Sequence, residues 1–406
     1  MIDVNTPDYR RAVLALSLGA FLVYCNLYLF QPLLPLMAED FQVSAMQINW
    51  LMAAGTLGLA VALLPWAIRS ETIGHYRVMM ISLMLLPLVS LTVFLANGLP
   101  MLTLARAVTG ASLAGFTAVA VAYMAEEFSP RALVMAVGAY ISASSMGGIG
   151  GRLFGGMVSD FWSWQHAVAG MACLSTAGVL LVYRLLPKPK HSTPSAEHSL
   201  KAHARNIIRH TNSHELWFAM LAGGLNFALF VNVYSVMGFR LVAPPYSLPV
   251  SWTSMIFLCY LSGTVTSRLS GFWRQKYSAT SGMILGTTVC ALGVWVAAYE
   301  SLTAMIAGLL LISSGAFLTH SLAYGWVSQK AITARATATA LYLVHYYVGG
   351  SLGGFFLIAC WEHSGWNGVL AGAMMICLLV YALCFSLKKH EITARKADQP
   401  LVAKTQ

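Results

Sequence analysis

The chain has 406 residues, of which 58% are hydrophobic and 9% are charged, and its formal net charge at pH 7 is +10. Soluble domains carry about 25% charged residues, so this composition excludes a soluble globular protein. Runs of about 20 mostly apolar residues recur along the chain, and each is long enough to cross a hydrocarbon core as a helix. Because the runs lack the short alternating pattern of β-barrel strands, we expect an all-α polytopic membrane protein.

Twelve apolar segments predict twelve transmembrane helices, which we name spans 1 to 12 in chain order. They cover residues 12–37, 47–68, 78–96, 101–124, 133–159, 166–186, 215–242, 250–270, 278–299, 303–326, 336–360 and 367–387. The predicted domains are an N-terminal six-helix bundle at 1–186, a linker at 187–214, a C-terminal six-helix bundle at 215–387 and a tail at 388–406.

The positive charges predict the orientation of the chain. All Lys and Arg residues except Arg106, Arg152 and Arg240 lie at the N-terminus, in the even-numbered connections or in the tail. Because positively charged loops stay in the cytoplasm, both termini and the basic linker are expected there. The orientation of the chain in the membrane therefore accounts for the excess of positive charge, and no nucleic-acid partner is expected.

No pattern of an enzyme or a metal site is found in the sequence. The seven cysteines lie within spans and form no C-x-x-C pair, which is typical of small buried apolar residues. His210 and His214 have the i, i+4 spacing of some metal ligands, but a solvated basic linker is the favoured interpretation. No phosphate-binding loop is present, so we expect neither catalysis, nor a metal, nor a cofactor.

The two halves of the chain are related by a shift of 202 residues, which places Gly147 on Gly349 and Gly151 on Gly353. The first spans also correspond, as Asn26-Leu27-Tyr28 and Asn232-Val233-Tyr234. A parallel repeat of six spans predicts two pseudo-symmetric bundles with a solute site between them near the bilayer midplane.

A ladder of small residues dominates span 5. On a helix Gly147, Gly151 and Gly155 form one stack, and Gly148, Arg152 and Gly156 form a second stack beside it. Small residues at this spacing let a second helix approach closely in lipid, and we expect this helix to slide against the opposite bundle. Arg152 either faces the protein interior or extends outward to the membrane surface.

Several short motifs occur in the order found in a known family. They are Gln31-Pro32-Leu33-Leu34-Pro35, Tyr123-Met124-Ala125-Glu126-Glu127, Gly151-Arg152-Leu153, Pro244-Pro245, Ala316 to Ser321 and Tyr346-Tyr347-Val348-Gly349-Gly350. With the six-plus-six arrangement, the chain resembles the major facilitator superfamily over essentially its whole length. Within that family it is similar to the YnfM-type bacterial inner-membrane carriers, which are classed as drug or sugar efflux proteins.

The resemblance assigns conformational roles to three sets of residues. The loop after span 2 matches the cytoplasmic latch motif at Glu71, Gly74 and Arg77 but departs from it at Ala67, Thr72, His75 and Tyr76, so the latch is degraded. Arg106 and Gly110 match an R-x-x-x-G motif whose arginine is implied in coupling proton movement to shape change. The alternative is an arginine that bonds helix carbonyls and has a purely structural role.

The span 5 ladder is similar to the family's antiporter motif, with Arg152 in place of a proline. The resemblance therefore still implies an exchange mechanism, but less strongly than a motif with the proline would. Arg152 could instead bind an anionic or hydroxyl-rich substrate through its planar array of donors.

Further candidates for the substrate or proton pathway are polar groups inside the spans. No carboxylate lies deep in a span, so His320 is a candidate proton relay, or else a hydrogen-bonded packing histidine. The other candidates are Asn26, Tyr28, Gln31, Asn232, Tyr234 and Tyr346, which either line the cavity or satisfy one another across helices.

These observations predict a secondary active transporter of a bacterial inner membrane that exports a small organic solute in exchange for protons and acts as a monomer by alternating access. Uptake of a polar or anionic solute with the proton gradient is a second hypothesis. A non-transporting membrane sensor or scaffold is a third, and the degraded latch motivates it.

Overall fold

The structure is a computed structural model that describes residues 1–4, 6–189 and 200–397, with side chains for all of these except 200 and 390–397. It is built from helices, which confirms the all-α fold. Their bounds are Pro7–Tyr28, Gln31–Leu33 and Leu34–Asp40 in span 1; Ala45–Ile48 and Trp50–Ile73 in span 2; then His75–Phe94, Leu99–Glu127, Pro130–Phe161 and Trp164–Leu185 in spans 3 to 6. The second half has His214–Val242 in span 7; Val250–Ser254, Met255–Cys259 and Tyr260–Lys276 in span 8; Ala279–Val296, Leu302–Lys330 and Arg335–Ala397 follow.

Ten of the described helices are long and apolar enough to cross a membrane, against twelve predicted spans. One difference arises because Arg335–Ala397 contains spans 11 and 12, which meet at the non-helical residues Ser364 and Gly365. The other arises in span 8, whose longest regular helix, Tyr260–Lys276, has 17 residues and follows a 3-10 turn. The twelve-helix prediction therefore agrees approximately with the structure.

The glycine ladder packs inside its own half. A Cβ added at Gly147, Gly151 or Gly155 would overlap the backbone of span 1, at Phe21, Cys25 and Leu29 respectively. These three glycines therefore face span 1 of their own half, while sliding of their helix against the opposite bundle stays a prediction. The spacing of the glycines predicts close approach of a helix but does not say which helix approaches, and span 1 is the neighbour that fills the seam.

Span 11 repeats this arrangement in the second half. A Cβ added at Gly349 would overlap the backbone of Gly224, and one added at Gly353 would overlap Ala228, both in span 7. Each half thus has a close backbone seam between its first and its fifth span. Gly156 is the ladder residue that reaches across, because its added Cβ would meet Ser254 of span 8.

The two halves meet through polar and aromatic contacts. Met46 N–H donates to Glu362, the Ser251 hydroxyl donates to Asp160, and Trp50 packs on Phe355 with ring centroids 4.7 Å apart. Nearer the middle, the hydroxyls of Thr56 and Ser351 are 2.6 Å apart, and those of Tyr24 and Tyr347 are 3.3 Å apart. These contacts extend from the middle of the spans to the end opposite the termini, which we call the far end.

The linker differs from the solvated segment that its composition predicts. Residues 190–199 and the tail beyond 397 lie outside the described residues, but Leu200–Thr211 form a helix. His203 and His210 are buried on one face of this linker helix, and His203 Nε2 lies 3.1 Å from Glu71 Oε2 of the latch motif. Burial lowers the pKa of His210. The polar composition of the linker therefore did not indicate that part of it forms a helix with one buried face.

Candidate functional site

The central site is organised by Arg152, which lies between the two halves. Its side chain is 1% exposed, its Nε donates to Gln31 Oε1 at 2.7 Å, and its Nη1 donates to the Gly148 carbonyl at 2.7 Å. Arg152 therefore faces the protein interior, which decides between the two placements that the sequence allowed. Helical geometry explains the second bond, because Gly148 is four residues before Arg152 and has no side chain to block the carbonyl.

Three aromatic rings surround the Arg152 guanidinium. Its Cζ lies 3.9 Å from the ring centroid of Tyr28, 4.7 Å from that of Phe257 and 4.8 Å from that of Tyr260. A cation over an aromatic face is stabilised by about 0.5–2 kcal/mol per contact, more where water is excluded. The first half thus supplies the charge and one ring, whereas span 8 of the second half supplies two rings.

Gln31 connects Arg152 to the second half. It lies in the 3-10 turn Gln31–Leu33, where Pro32 interrupts the helix of span 1 because proline has no N–H. Gln31 Nε2 donates to the Val231 carbonyl at 2.8 Å and to the Ser235 hydroxyl at 2.9 Å, both in span 7. The amide therefore joins the buried arginine to the opposite bundle.

Arg106 lies within the first half and supports the break in span 1. It is 2% exposed, and it donates to the carbonyls of Asn26 at 3.0 Å, Leu27 at 2.7 Å and Leu51 at 3.4 Å. These contacts match the structural alternative that the sequence left open. Gly110, one turn later, brings span 4 against span 2, because an added Cβ would overlap the Gly55 carbonyl.

His320 belongs to an aromatic cluster in the second half. Its Nδ1 is 2.9 Å from the Tyr342 hydroxyl, and its ring centroid is 4.4 Å from that of Tyr346. Tyr346 in turn stacks on Phe227 at 3.9 Å. The cluster brings together two of the predicted residues, but it is built around span 10 and span 11 rather than around Arg152.

Three predicted polar residues have bonds inside their own half. Asn26 donates to Ser175 of span 6, Asn232 donates to the Gly350 carbonyl of span 11, and Tyr234 bonds the carbonyl of Leu309 and the hydroxyl of Ser313 in span 10. Of the two interpretations open at the sequence level, satisfaction across helices is the one that this geometry favours for them.

The latch residues occupy the end that carries the termini. Gly74 has a φ of +91°, which suits glycine, and it separates the helices of spans 2 and 3. Arg77 is exposed, and Glu71 faces the linker helix. The neighbouring His75 Nδ1 lies 2.9 Å from Glu126 Oε1, so a histidine now pairs with an acid where the family motif carries a basic residue.

Phe257 and Tyr260 are site residues that the sequence did not point to. Both lie at the irregular part of span 8, where a 3-10 turn precedes the regular helix. One signal could have found them. If spans 2 and 11 meet across the halves, the internal repeat requires spans 5 and 8 to meet as well, and aromatic residues of span 8 then face Arg152.

The fold and the buried interface together define a membrane transporter built from two related bundles, and comparison with known proteins gives its family. The sequence model of the Major Facilitator Superfamily matches residues 16–354. The inner membrane transport protein YnfM of Escherichia coli strain K12 is 32% identical over 389 residues, which are 96% of this chain and 93% of that protein. The chain therefore belongs to the major facilitator superfamily and is a multi-pass membrane transporter.

Solved structures agree with this fold. A bacterial homologue of the human lysosomal transporter Spinster, in an inward-facing and occupied conformation, matches with a TM-score of 0.73 at 14% identity, over 95% of this chain and 98% of that one. A D-xylose-proton symporter matches with a TM-score of 0.70 at 15% identity, over 92% and 96% of the two chains. At these identities the likeness concerns the fold.

Proposed function

We propose that this chain is a monomeric secondary transporter that exports a small organic solute across a bacterial inner membrane in exchange for protons. The observation that carries the proposal is Arg152, a buried cation that lies between two halves that touch through few polar contacts. A charge in this position is costly in a membrane and is expected to serve a function. We propose that both termini lie in the cytoplasm, because the distribution of Lys and Arg favours this orientation.

Alternating access would proceed by opening the far end. The contacts that close it, such as Ser251 with Asp160, are hydrogen bonds that water can replace at little cost. The glycine seams inside each half are close backbone contacts and would stay intact while the halves rock. This description corresponds to a state that is closed at the far end.

His320 is the proposed proton-binding group. It lies inside span 10, and the hydroxyl of Tyr342 can donate to its neutral ring or accept from its protonated ring. The contacts of Arg106 suggest that it takes part in coupling by holding the break in span 1, rather than by carrying the proton.

A cysteine pair tests the rocking motion without knowledge of the substrate. We expect the double variant Asp160→Cys with Ser251→Cys to form a disulfide that locks the far end and stops proton-gradient-driven flux in reconstituted vesicles. Reduction should restore the flux, and each single variant should transport under both conditions. Undiminished flux through the fully oxidised double variant would exclude opening at this face.

Flux under an imposed pH gradient tests coupling and direction. Vesicles that contain a pH-sensitive dye should report proton movement when a transported compound is added on one side, and reversal of the gradient should reverse the exchange. Movement of proton and solute in the same direction would establish uptake instead of export. Flux that ignores both pH and membrane potential would exclude proton coupling.

A further inference from the structure

The charge of Arg152 is compensated by neutral groups alone. Its two hydrogen-bond acceptors are an amide oxygen and a backbone carbonyl, and none of the ion pairs found in the described part of the chain includes it. Its Nη2 has no acceptor among the described residues. A buried guanidinium with a free donor face is well matched to an anion, since charge-assisted and bidentate bonds are the strongest that it can make.

A second donor next to this guanidinium is also without a partner. Tyr260 is 7% exposed, and its hydroxyl makes no hydrogen bond with any residue that the structure describes. Buried polar groups are rarely left in this state, and each instance calls for a ligand or a water. The Tyr260 ring centroid lies 4.8 Å from Arg152 Cζ, so the two donors belong to side chains in contact with each other.

The other side chains around the two donors are aromatic. They favour a ligand whose acceptor group is attached to a flat apolar group. Tyr28 and Phe257 present ring faces to the guanidinium at 3.9 and 4.7 Å, and Phe230 lies against Tyr260 at 4.6 Å. Aromatic rings stack on planar apolar groups and bind poorly to strongly hydrated ones. A single cation balances one negative charge, whereas a dianion would remain uncompensated in this apolar setting.

From these two unpaired donors and their aromatic walls, we propose that the site takes a small organic monoanion, namely a carboxylate on a flat apolar body. The carboxylate would bind Arg152 Nη2 and the Tyr260 hydroxyl and would compete with Gln31 for the guanidinium. Such competition would loosen the bond network that joins Gln31 to span 7. This substrate class rests on the transport function proposed above.

Paired probes test the class on the purified full-length protein. We would measure thermal unfolding with benzoate, 1-naphthoate and indole-3-acetate, each against its neutral amide. The carboxylates should stabilise the protein and the amides should not. Arg152→Gln should weaken carboxylate binding about tenfold or more, because a bond to a charged group is lost. Arg240→Gln is the control, since the Arg240 guanidinium bonds the carbonyl of Ala297 within the second half.

Tyr260→Phe keeps the proposal testable if Arg152→Gln does not fold. The change removes an unpaired hydroxyl, so the ligand-free protein should melt at the same temperature or higher, while carboxylate affinity should fall a few-fold. If Tyr260 had only a structural role, its replacement would lower the melting temperature of the ligand-free protein together with the carboxylate affinity. Equal stabilisation by the amides, full carboxylate binding by both site variants, or no stabilisation by any carboxylate would overturn the proposal.

Flux separates this proposal from the transport function. Carboxylate binding without any flux would retain the ligand class and refute transport. Flux of a neutral or cationic solute that survives Arg152→Gln would retain transport and refute the ligand class.

Discussion

Replacing Arg106 with alanine should destabilise the first half of the protein. The helix of span 1 ends at Tyr28, and the break that follows is closed by bonds from Leu29 N–H to Cys25 and from Leu33 N–H to Phe30. The carbonyls of Asn26 and Leu27 are thereby left without helical donors, and the guanidinium of Arg106 supplies both. Without it, two buried carbonyls lose their partners.

The magnitude follows from the contacts of Arg106. Each orphaned buried carbonyl costs about 1–3 kcal/mol, although hydrogen bonds measured within membranes contribute about 0.6–1.7 kcal/mol. Truncating a large side chain that is 2% exposed adds a cavity cost of about 2 kcal/mol or more. Removing a buried charge without a carboxylate partner offsets part of this loss. We expect a net loss of about 3 kcal/mol, which corresponds to a melting temperature lower by about 5 °C.

The assay is thermal unfolding of the detergent-purified protein, with Arg106→Lys as the matched variant. Lysine keeps the charge but loses the fork that reaches two carbonyls at once, so its loss should be intermediate. If Arg106→Ala melted with the wild type and lost gradient-driven flux while solute exchange continued, the arginine would act on the proton itself. The structural reasoning would then be wrong.

Three further predictions concern packing, coupling and the linker helix. Gly151→Leu should lower the melting temperature strongly because its side chain would overlap the Cys25 backbone, whereas Gly138→Leu on the same helix, where an added Cβ meets nothing within 4 Å, should not. His320→Phe should abolish pH-gradient-driven flux but preserve solute counterflow, and retention of gradient-driven flux would exclude it as the proton site. Because burial lowers the pKa of His210, its contribution should be lost as pH falls below the unfolded value of about 6.5. The protection of the amides of residues 200–211 from hydrogen exchange, taken relative to the intrinsic exchange rate at each pH, should therefore be weaker at pH 5.5 than at pH 8, and a His210→Asn variant should show a smaller difference.

The sequence predicted the fold well because each span can be recognised from the composition of its own residues. Apolar length, the charge of the connections and the internal repeat are all local or periodic signals, and together they specified two six-span bundles. The discrepancies occur where local signals conflict. Span 8 is polar and contains a 3-10 turn, while the junction of spans 11 and 12 at Ser364 and Gly365 is too short to separate the helices.

The site was predicted less completely because its members meet across the halves. Arg152 was identified from its own segment, since a buried charge is costly wherever it lies. Tyr28 was identified from the correspondence between the first spans of the two halves. Phe257 and Tyr260 looked like ordinary apolar residues of a span, and their role depends on how spans 5 and 8 are paired. Asn26 and Asn232 were equally prominent in the sequence, but the bonds they make lie within their own halves.

The internal repeat also explains why the site has one charge. The 202-residue shift that superimposes the glycine seams places Gly354 at the position of Arg152, and Gly354 lies against the amides of Asn49 and Asn232. The seams are therefore shared by the two halves, while the charged position is not. A symmetric scaffold is suited to rock as two rigid bodies, and an asymmetric site gives the solute one preferred orientation between them. Restoring symmetry with Gly354→Arg should place a second guanidinium in a space already filled by Asn49 and should prevent closure of the far end. A Gly354→Arg variant that still formed the Asp160→Cys, Ser251→Cys disulfide at the wild-type rate would contradict this argument.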